Sequence, residues 1–231
     1  MHLGEFDRML SSENRNKWFN LGNQNLSVFM REAGFDLAVF DGYSKNVQAE
    51  ARHRAIRNAR SALIDAFKTV SKQANLSEIK QGVYVIRLAR GMVVNYHKQH
   101  SPIVYIGQGA VLNRIQQHYE GKLFEFMQSL GGVDFEFLIA EPWKPYYRKQ
   151  DFHKQVEFSL IKQFGEIFGG LDGRSKFPLM NRIAGSDRGL DIDGDWWRKP
   201  LKRSGSRTNW VLQPGPHSGF VGALDPVAGG A

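Results

Sequence analysis

The sequence predicts an α+β fold in which a small antiparallel sheet of three strands is flanked by helices. Three short runs rich in β-branched and aromatic residues, at 82–89, 101–107 and 132–142, predict the strands. Helical patterns follow the second and the third run, which gives the element order β-β-α-β-α. A helical extension precedes this core, and an irregular tail follows it.

Residues 1–80 are predicted to be mostly helical, and the strongest helical pattern covers 46–76. The apolar residues that recur there at helical spacing are Ala51, Ala55, Ile56, Ala59, Leu63, Ala66, Phe67 and Val70. The first half of this helix also carries Arg52, Arg57 and Arg60. Such a cationic face either lies along the phosphates of a nucleic acid or is the solvated side of a packing helix, and the sequence favours neither.

The region 81–185 is the predicted core. Its first two strands are joined by a connection long enough for an extended loop, and Pro102 stands at the mouth of the second strand, where a missing N–H is tolerable. The helix after the second strand is predicted to end at Gly121. The third strand alternates acidic and apolar residues, and a long helix within 146–170 is ended by Gly169.

The tail, 186–231, mixes an acidic run, a Trp pair and a basic run before a Gly- and Pro-rich end, which is predicted to be poorly ordered. Trp196, Trp197 and Trp210 lie in or near the basic run. Their indole rings either stack on DNA or anchor the tail onto the core, and the sequence leaves both interpretations open.

Composition narrows the class of protein. The 231 residues include 31 Lys and Arg against 23 Asp and Glu, a formal net charge of +8, which favours a polyanionic partner such as nucleic acid. Cysteine is absent, which excludes disulfides and thiolate zinc sites. No apolar run is long enough to cross a bilayer, and the first residues lack the layout of a signal peptide. We therefore expect an intracellular, cytoplasmic protein without a membrane partner.

Two tripeptides and four polar residues form an ordered set within the core. In chain order they are Gly82-Val83-Tyr84, Tyr105-Ile106-Gly107, Arg114, His118, Glu157 and Asn181. In this order the set resembles the GIY-YIG nuclease superfamily, and the Arg-x-x-x-His spacing looks most like its type II restriction endonucleases. Val83 stands where the motif has Ile, and the connection between the two tyrosines is longer than in minimal members.

The resemblance implies a metal-dependent endonuclease that hydrolyses phosphodiester bonds of double-stranded DNA. It implies Mg²⁺ as the cofactor, with Mn²⁺ as a substitute, and a bacterial or phage origin. The partners it suggests are DNA, a second copy of the chain, and a cognate methyltransferase acting on the same site. The alternatives are a mobile-element or repair nuclease of the same superfamily, and a non-cutting DNA-binding module that has kept the fold.

The chemistry of each residue type fits a role in phosphodiester hydrolysis. Glu157 borders an apolar helix face, where a carboxylate is costly without a compensating cation, and Mg²⁺ accepts one or two carboxylates while keeping several waters. Arg114 offers a planar, permanently charged fork to the scissile phosphate. In the superfamily the first motif tyrosine, here Tyr84, is proposed as the general base, with Tyr105 assisting; nearby cations would have to lower the pKa of Tyr84 for that role.

Three further residues complete the predicted site. His118 either accepts a proton from Tyr84 or hydrogen-bonds the phosphate, and the sequence does not choose between them. Asn181 is expected to tie the site together by hydrogen bonds. Lys98 lies where some members of the superfamily supply a catalytic lysine, and it is also a candidate contact with DNA.

Overall fold

The structure is a computed structural model that describes residues 12–72, 74–145, 151–171, 176–183, 185–202 and 208–214. Its strands are β1 (Phe19–Asn25), β2 (Gly82–Leu88), β3 (Met92–Val94), β4 (Ile103–Gly109), β5 (Asp134–Ala140) and β6 (Trp210–Leu212). Its α-helices are α1 (Leu26–Glu32), α2 (Lys45–Val70), α3 (Val111–Glu120), α4 (Lys122–Ser129) and α5 (Phe152–Ile167). The α+β class predicted from the sequence is confirmed.

The main sheet has four strands in the order β1-β5-β2-β4, where three strands were predicted. All neighbouring pairs in it are antiparallel. The predicted strands correspond to β2, β4 and β5, and the additional strand is β1, which pairs with the outer edge of β5. The N-terminal region is therefore not only a helical extension, because it supplies one edge of the sheet.

The strand β1 escaped prediction because its sequence, FNLGNQN, is poor in β-branched residues. Gly22 has a φ of 71°, and the register with β5 shifts between Asn20 and Asn23, so the regular alternation of a strand is broken. Pairing with β5 and the packing of Phe19 against Phe67 of α2, with ring centroids 5.3 Å apart, hold this segment extended. Tertiary contacts, rather than local preference, form the strand.

A second, two-stranded sheet joins β3 and β6 in parallel, with Met92 opposite Trp210. The connection between the first two predicted strands therefore contains a strand of its own. The tail predicted to be irregular contributes β6 and a 3₁₀ helix at Trp196–Leu201, which packs against α5. The last residues, 215–231, which were predicted to be poorly ordered, lie outside the described residues.

Both faces of the main sheet are covered. Residues opposite one another in antiparallel strands lie on the same face, so Tyr84 shares a face with Phe137 and Ile139. On that face the Tyr119 ring of α3 stacks on Phe137, with centroids 6.2 Å apart. The alternate residues of β2, such as Val83, are buried as well. The helix α5 packs against β4 and β2, which brings it close to the tyrosine-bearing strands.

The predicted helices are present with adjusted bounds. The long N-terminal pattern forms α2, and its alanine-rich stripe is buried. The helix after the second predicted strand is α3; Gly121 separates it from α4, a helix that the sequence pattern did not indicate. Among the described residues, no helix is both long enough and apolar enough to span a bilayer.

Candidate active site

The two motif tyrosines lie on neighbouring strands of one sheet face. Tyr84 of β2 is directly opposite Gly107 of β4, and Tyr105 lies two residues before Gly107. The two tyrosine rings are 5.8 Å apart. A Cβ at Gly107 would lie 2.6 Å from the Tyr84 hydroxyl and 2.6 Å from the Tyr105 ring. Packing of the two rings therefore requires glycine at position 107.

His118 of α3 contacts both tyrosines. Its Nε2 lies 2.7 Å from the Tyr84 hydroxyl, and its ring meets that of Tyr105 edge to face, with centroids 4.4 Å apart. Burial, with the nearby Arg114 guanidinium, lowers the pKa of His118 to about 4. The imidazole is therefore neutral at physiological pH. When Nε2 carries no proton, it accepts the hydrogen bond from the Tyr84 hydroxyl.

Burial dominates the acidity of both tyrosines. It raises the pKa of the fully buried Tyr84 well above its ordinary value, against the opposing effect of Arg114. It also raises the pKa of Tyr105, while the Tyr84 hydroxyl and the Arg114 guanidinium act in the other direction. Both hydroxyls are therefore protonated at neutral pH. Arg114 therefore does not bring the pKa of Tyr84 below its ordinary value, which the role of general base would require.

The Arg114 guanidinium is a positive charge that acts on each of the titratable residues of the site. Its guanidinium influences the pKa of Tyr84, Tyr105, His118 and Glu157. The side chain is exposed and passes over the end of β4, where a Cβ at Gly109 would lie 3.4 Å from its Cγ. Its Nη1 donates to Gln117 Oε1 at 2.9 Å, which leaves further N–H groups free for an anion.

Glu157 approaches the same place from α5. Burial raises the pKa of its carboxyl group to about 7, although the nearby Arg114 and Lys154 act to lower it. Its Oε2 lies close to the backbone of Gly185, at which a Cβ would be 3.4 Å away. The positive charges of Arg114 and Lys154 therefore compensate the negative charge of the Glu157 carboxylate only in part.

Asn181 ties the chain after α5 to β4. Its side-chain amide donates to the carbonyl oxygen of Ile106 at 2.7 Å, and its Oδ1 accepts from the Ile106 N–H at 2.9 Å. Because Ile106 lies between Tyr105 and Gly107, this pair of hydrogen bonds fixes the backbone that carries the second tyrosine. The geometry fits the tying role predicted for Asn181.

Lys98 is not brought to this site. Its Nζ donates to the carbonyl oxygen of Glu166 at 2.8 Å, at the far end of α5. Glu166 is nine residues after Glu157, or about 13 Å along the helix axis. The lysine that the structure does bring near is Lys154, one turn before Glu157, where it also pairs with Asp151 at 2.8 Å. Its spacing of three residues from Glu157 on one helix was a signal that the sequence analysis did not use.

The arginines of α2 fall into two groups. The Arg52 guanidinium donates to the carbonyl oxygens of Glu120 and Gly121 at 3.0 and 2.8 Å and stacks over the Phe124 ring, so it joins α2 to the end of α3. Arg57 is exposed, and Arg60 hydrogen-bonds the Gln116 side chain; both line an open groove between α2 and α3. Arg57 and Arg60 remain candidate phosphate contacts, whereas Arg52 has a packing role.

The tail tryptophans also differ from one another. Trp197 is buried, which favours the anchoring interpretation for it, and Arg198 lies over its ring at 4.8 Å. Trp210 of β6 is 70% exposed and remains available to a partner.

The donor set at Glu157 suits a hard divalent cation. No group of three or more His, Cys, Asp or Glu able to hold a metal occurs in the parts of the chain that the structure describes. A cation at Glu157 would therefore have at most two ligands of these residue types from the described residues and would take the others from oxygens such as those of water and phosphate. Mg²⁺ prefers this arrangement, and the carboxylate's incomplete charge compensation favours it further.

Comparisons of the chain with protein-family profiles, with curated proteins and with solved structures found no match.

The partly buried Glu157 carboxylate has a consequence for stability that can be measured without any assay of activity. Because the folded-state pKa of Glu157 is raised from 4.5 to about 7, the protonated form stabilises the fold, and this contribution is lost as pH rises towards and through 7. We expect Glu157→Gln to unfold at the wild-type temperature near pH 4.5 and a few degrees higher at pH 8, in EDTA. The difference corresponds to roughly 1–3 kcal/mol.

Differential scanning fluorimetry across this pH range would measure the effect. Glu166→Gln, which removes an exposed carboxylate from the same helix, is the control for the loss of one negative charge. A constant difference between Glu157→Gln and wild type from pH 4.5 to 8 would contradict the burial of an ionisable Glu157.

Proposed function

We propose that this protein is a Mg²⁺-dependent endonuclease that hydrolyses phosphodiester bonds of double-stranded DNA, and that it is a restriction endonuclease. The observation that carries the proposal is the convergence of side chains from β2, β4, α3 and α5. Tyr84 contacts Tyr105 and His118, and Arg114 acts electrostatically on these three residues and on Glu157. These residues are spread over more than 70 positions of the chain, so a purely local cause does not explain their meeting.

A phosphodiester would bind at the exposed guanidinium of Arg114. A guanidinium offers parallel N–H donors to two nonbridging oxygens of a phosphate, and it stays charged at every relevant pH. As the water oxygen bonds to phosphorus and the bond to the leaving sugar oxygen breaks, negative charge builds up on those nonbridging oxygens. Arg114 stabilises that charge, and Lys154 adds a second positive charge on the Glu157 side.

The buried Tyr84 and the half-buried His118 form a hydrogen-bonded pair that can take up or relay a proton. The Tyr84 hydroxyl donates to neutral His118 Nε2, so a proton taken up by the phenol oxygen can be passed on to the imidazole. This arrangement avoids a free tyrosinate, which the burial of Tyr84 disfavours. The Tyr105 hydroxyl interacts with both the Tyr84 hydroxyl and the Arg114 guanidinium.

Glu157 would hold the Mg²⁺ ion. When bound, the ion would act as a Lewis acid at the phosphate and would lower the pKa of a coordinated water. The part played by the chain itself is to present one partly buried carboxylate whose charge the protein cations do not fully compensate.

A non-cutting DNA-binding module is the second candidate, and the position of Lys98 favours it. Where a catalytic lysine was expected, the side chain is instead fixed to the end of α5. Cleavage by this chain would then depend on Tyr84 and His118 for proton transfer, or fail. A mobile-element or repair nuclease remains the alternative within the enzyme class.

Incubation of the full chain with supercoiled plasmid and with linear duplex DNA, in Mg²⁺ or in EDTA, tests the proposal directly. We expect nicked and linear products in Mg²⁺ only, and sequencing of the product ends should reveal a fixed site. Ends at random positions would favour a repair or nonspecific nuclease over a restriction enzyme. Binding to DNA without any cleavage, in Mg²⁺ or Mn²⁺, would contradict the proposed activity and support the non-cutting module.

A further inference from the structure

The chain that follows Asn181 runs across the candidate active site and is fastened at both ends. We call residues 181–183 and 185–190 the site strap. Asn181 is held by its two hydrogen bonds to the Ile106 backbone. At the other end, Oε1 of the buried Gln155 accepts hydrogen bonds from the backbone N–H groups of Arg188 at 2.7 Å and Leu190 at 3.4 Å. The strap is thus tied to β4 and α5, the elements that carry Tyr105 and Glu157.

Between these attachments the strap passes directly against the carboxylate. Gly185 has a φ of 71°, and a Cβ there would lie 3.4 Å from Glu157 Oε2. The positive φ favours glycine at this point. The strap therefore borders the site on the side of Glu157.

The strap presents an unusual pair of residues to solvent, Arg182 and Ile183. Ile183 is 75% exposed, which makes it the most exposed large hydrophobic side chain in the described part of the chain. A single exposed aliphatic residue usually needs no explanation. This one, however, lies two residues from Asn181, which is hydrogen-bonded to β4, and two from Gly185, which lies beside Glu157, and a basic residue precedes it.

We propose that the site strap reads DNA sequence next to the cut, with Ile183 making an apolar contact to the bases and Arg182 contacting a flanking phosphate. This inference rests on the proposed function, since it concerns the substrate of the same site. Apolar side chains contact thymine methyl groups or press between base steps, and in both cases the contact depends on sequence. Arginine supplies the sequence-independent attraction that holds such a contact in place.

The reach of the strap sets where the preference must appear. Consecutive Cα atoms are about 3.8 Å apart, so the Cα of Ile183 lies within about 8 Å of the Cα of Gly185. A Cβ at Gly185 would lie 3.4 Å from Glu157 Oε2, and metal–oxygen bonds of about 2.1 Å would link that carboxylate through Mg²⁺ to the scissile phosphate. The whole path from Ile183 spans up to about 17 Å, and successive base pairs are separated by about 3.4 Å, which places the Ile183 contact within about five base pairs of the cut.

The fastening of the strap explains how so short a segment can discriminate between bases. A side chain that distinguishes between bases has to be held in place before DNA binds, because the entropy lost when a flexible loop becomes ordered offsets part of the binding free energy. Gln155 and Asn181 provide that ordering through backbone hydrogen bonds on either side of Arg182 and Ile183.

Digestion of a duplex library with randomised sequence, followed by sequencing of the ends, tests the inference. The proteins compared are wild type, Ile183→Ser, Ile183→Leu and Val39→Ser, the last being a matched control because Val39 is also an exposed aliphatic residue, outside the site. We expect Ile183→Ser to lose at least about fivefold of the base preference within about five base pairs of the cut. Preferences farther away should persist, Ile183→Leu should retain most of the selectivity, and Val39→Ser should match wild type.

Binding of the same labelled library is measured by fluorescence anisotropy in EDTA, so that the strap and the nuclease activity are judged separately. Cleavage by wild type with an unchanged preference in Ile183→Ser would overturn the strap inference alone. DNA binding without cleavage, weakened at least about fivefold by Ile183→Ser but not by Val39→Ser, would overturn the nuclease proposal and support the strap as a DNA contact. A wild-type protein that neither cuts nor binds DNA would overturn both.

Discussion

Glu157→Gln is expected to bind DNA with nearly wild-type affinity and to lose at least about a thousandfold of its Mg²⁺-dependent cleavage rate. The amide has the shape of the carboxylate but lacks the charge that would hold a divalent cation. Single-turnover cleavage of a labelled duplex gives the rate, and anisotropy in EDTA gives the affinity. The variant should unfold at or above the wild-type temperature, since a neutral side chain suits this partly buried position.

The matched control is Glu166→Gln, on the exposed side of the same helix, which we expect to cleave at the wild-type rate. Raising the Mg²⁺ concentration should also lower the pH at which wild-type cleavage is half maximal, because the cation competes with the proton that Glu157 binds with a pKa of about 7. A Glu157→Gln enzyme that cleaves at the wild-type rate would rule out Glu157 as the metal ligand.

The sequence was most informative where local preference and tertiary structure agree. The runs that form β2, β4 and β5 are rich in β-branched and aromatic residues, and the alanine stripe of α2 is buried as its spacing predicts. The strand β1 has no such local signal, since Asn and Gly dominate it and its pairing partner is more than 100 residues away. Partners so distant in sequence cannot be found from periodicity.

The candidate site likewise contains residues that the sequence could identify and arrangements that it could not. Its motif residues could be named from their order, but the sequence could not give the register that sets Tyr84 opposite Gly107 and so requires glycine there. Nor could it show that Lys98 reaches the far end of α5, because the path of a long connection is not encoded in spacing. Lys154 was within reach of sequence reasoning, since it lies one helical turn from Glu157.

The acidities of the site residues depend on burial and could be known only from the structure. Nearby cations would have to lower the pKa of Tyr84 for it to act as a base, whereas burial of its hydroxyl outweighs the effect of Arg114. Burial likewise keeps His118 neutral and raises the pKa of Glu157. An ionisation of wild type near pH 7 is therefore expected to belong to Glu157 and not to the imidazole.

Replacement of Arg114 by lysine is expected to slow cleavage by about 100- to 1,000-fold, with little change in the pH at which the rate is half maximal. Lysine keeps the positive charge that acts on Glu157 but loses the planar fork, and one well-placed donor to a developing anion contributes about 2.7–4 kcal/mol. Arg114→Gln should be slower still, and its half-maximal pH should move upward, because the charge that lowers the pKa of Glu157 is gone. Single-turnover rates from pH 5.5 to 9 measure both effects.

The His118→Ala variant tests the role of α3 in proton transfer separately from its role in binding the phosphate through Arg114. The Tyr84 hydroxyl then lacks its acceptor, so the rate should fall at every pH while the half-maximal pH stays near that of wild type. Asn113→Ala, an exposed change on the same helix beside Arg114, is the control and should leave the rate unaltered. If the ionisation near pH 7 were lost in His118→Ala, it would belong to the imidazole, which would contradict the low pKa that burial gives His118.

A fully active Arg114→Lys enzyme would mean that the guanidinium fork does not bind the phosphate, and that the exposed face of α3 is solvated surface.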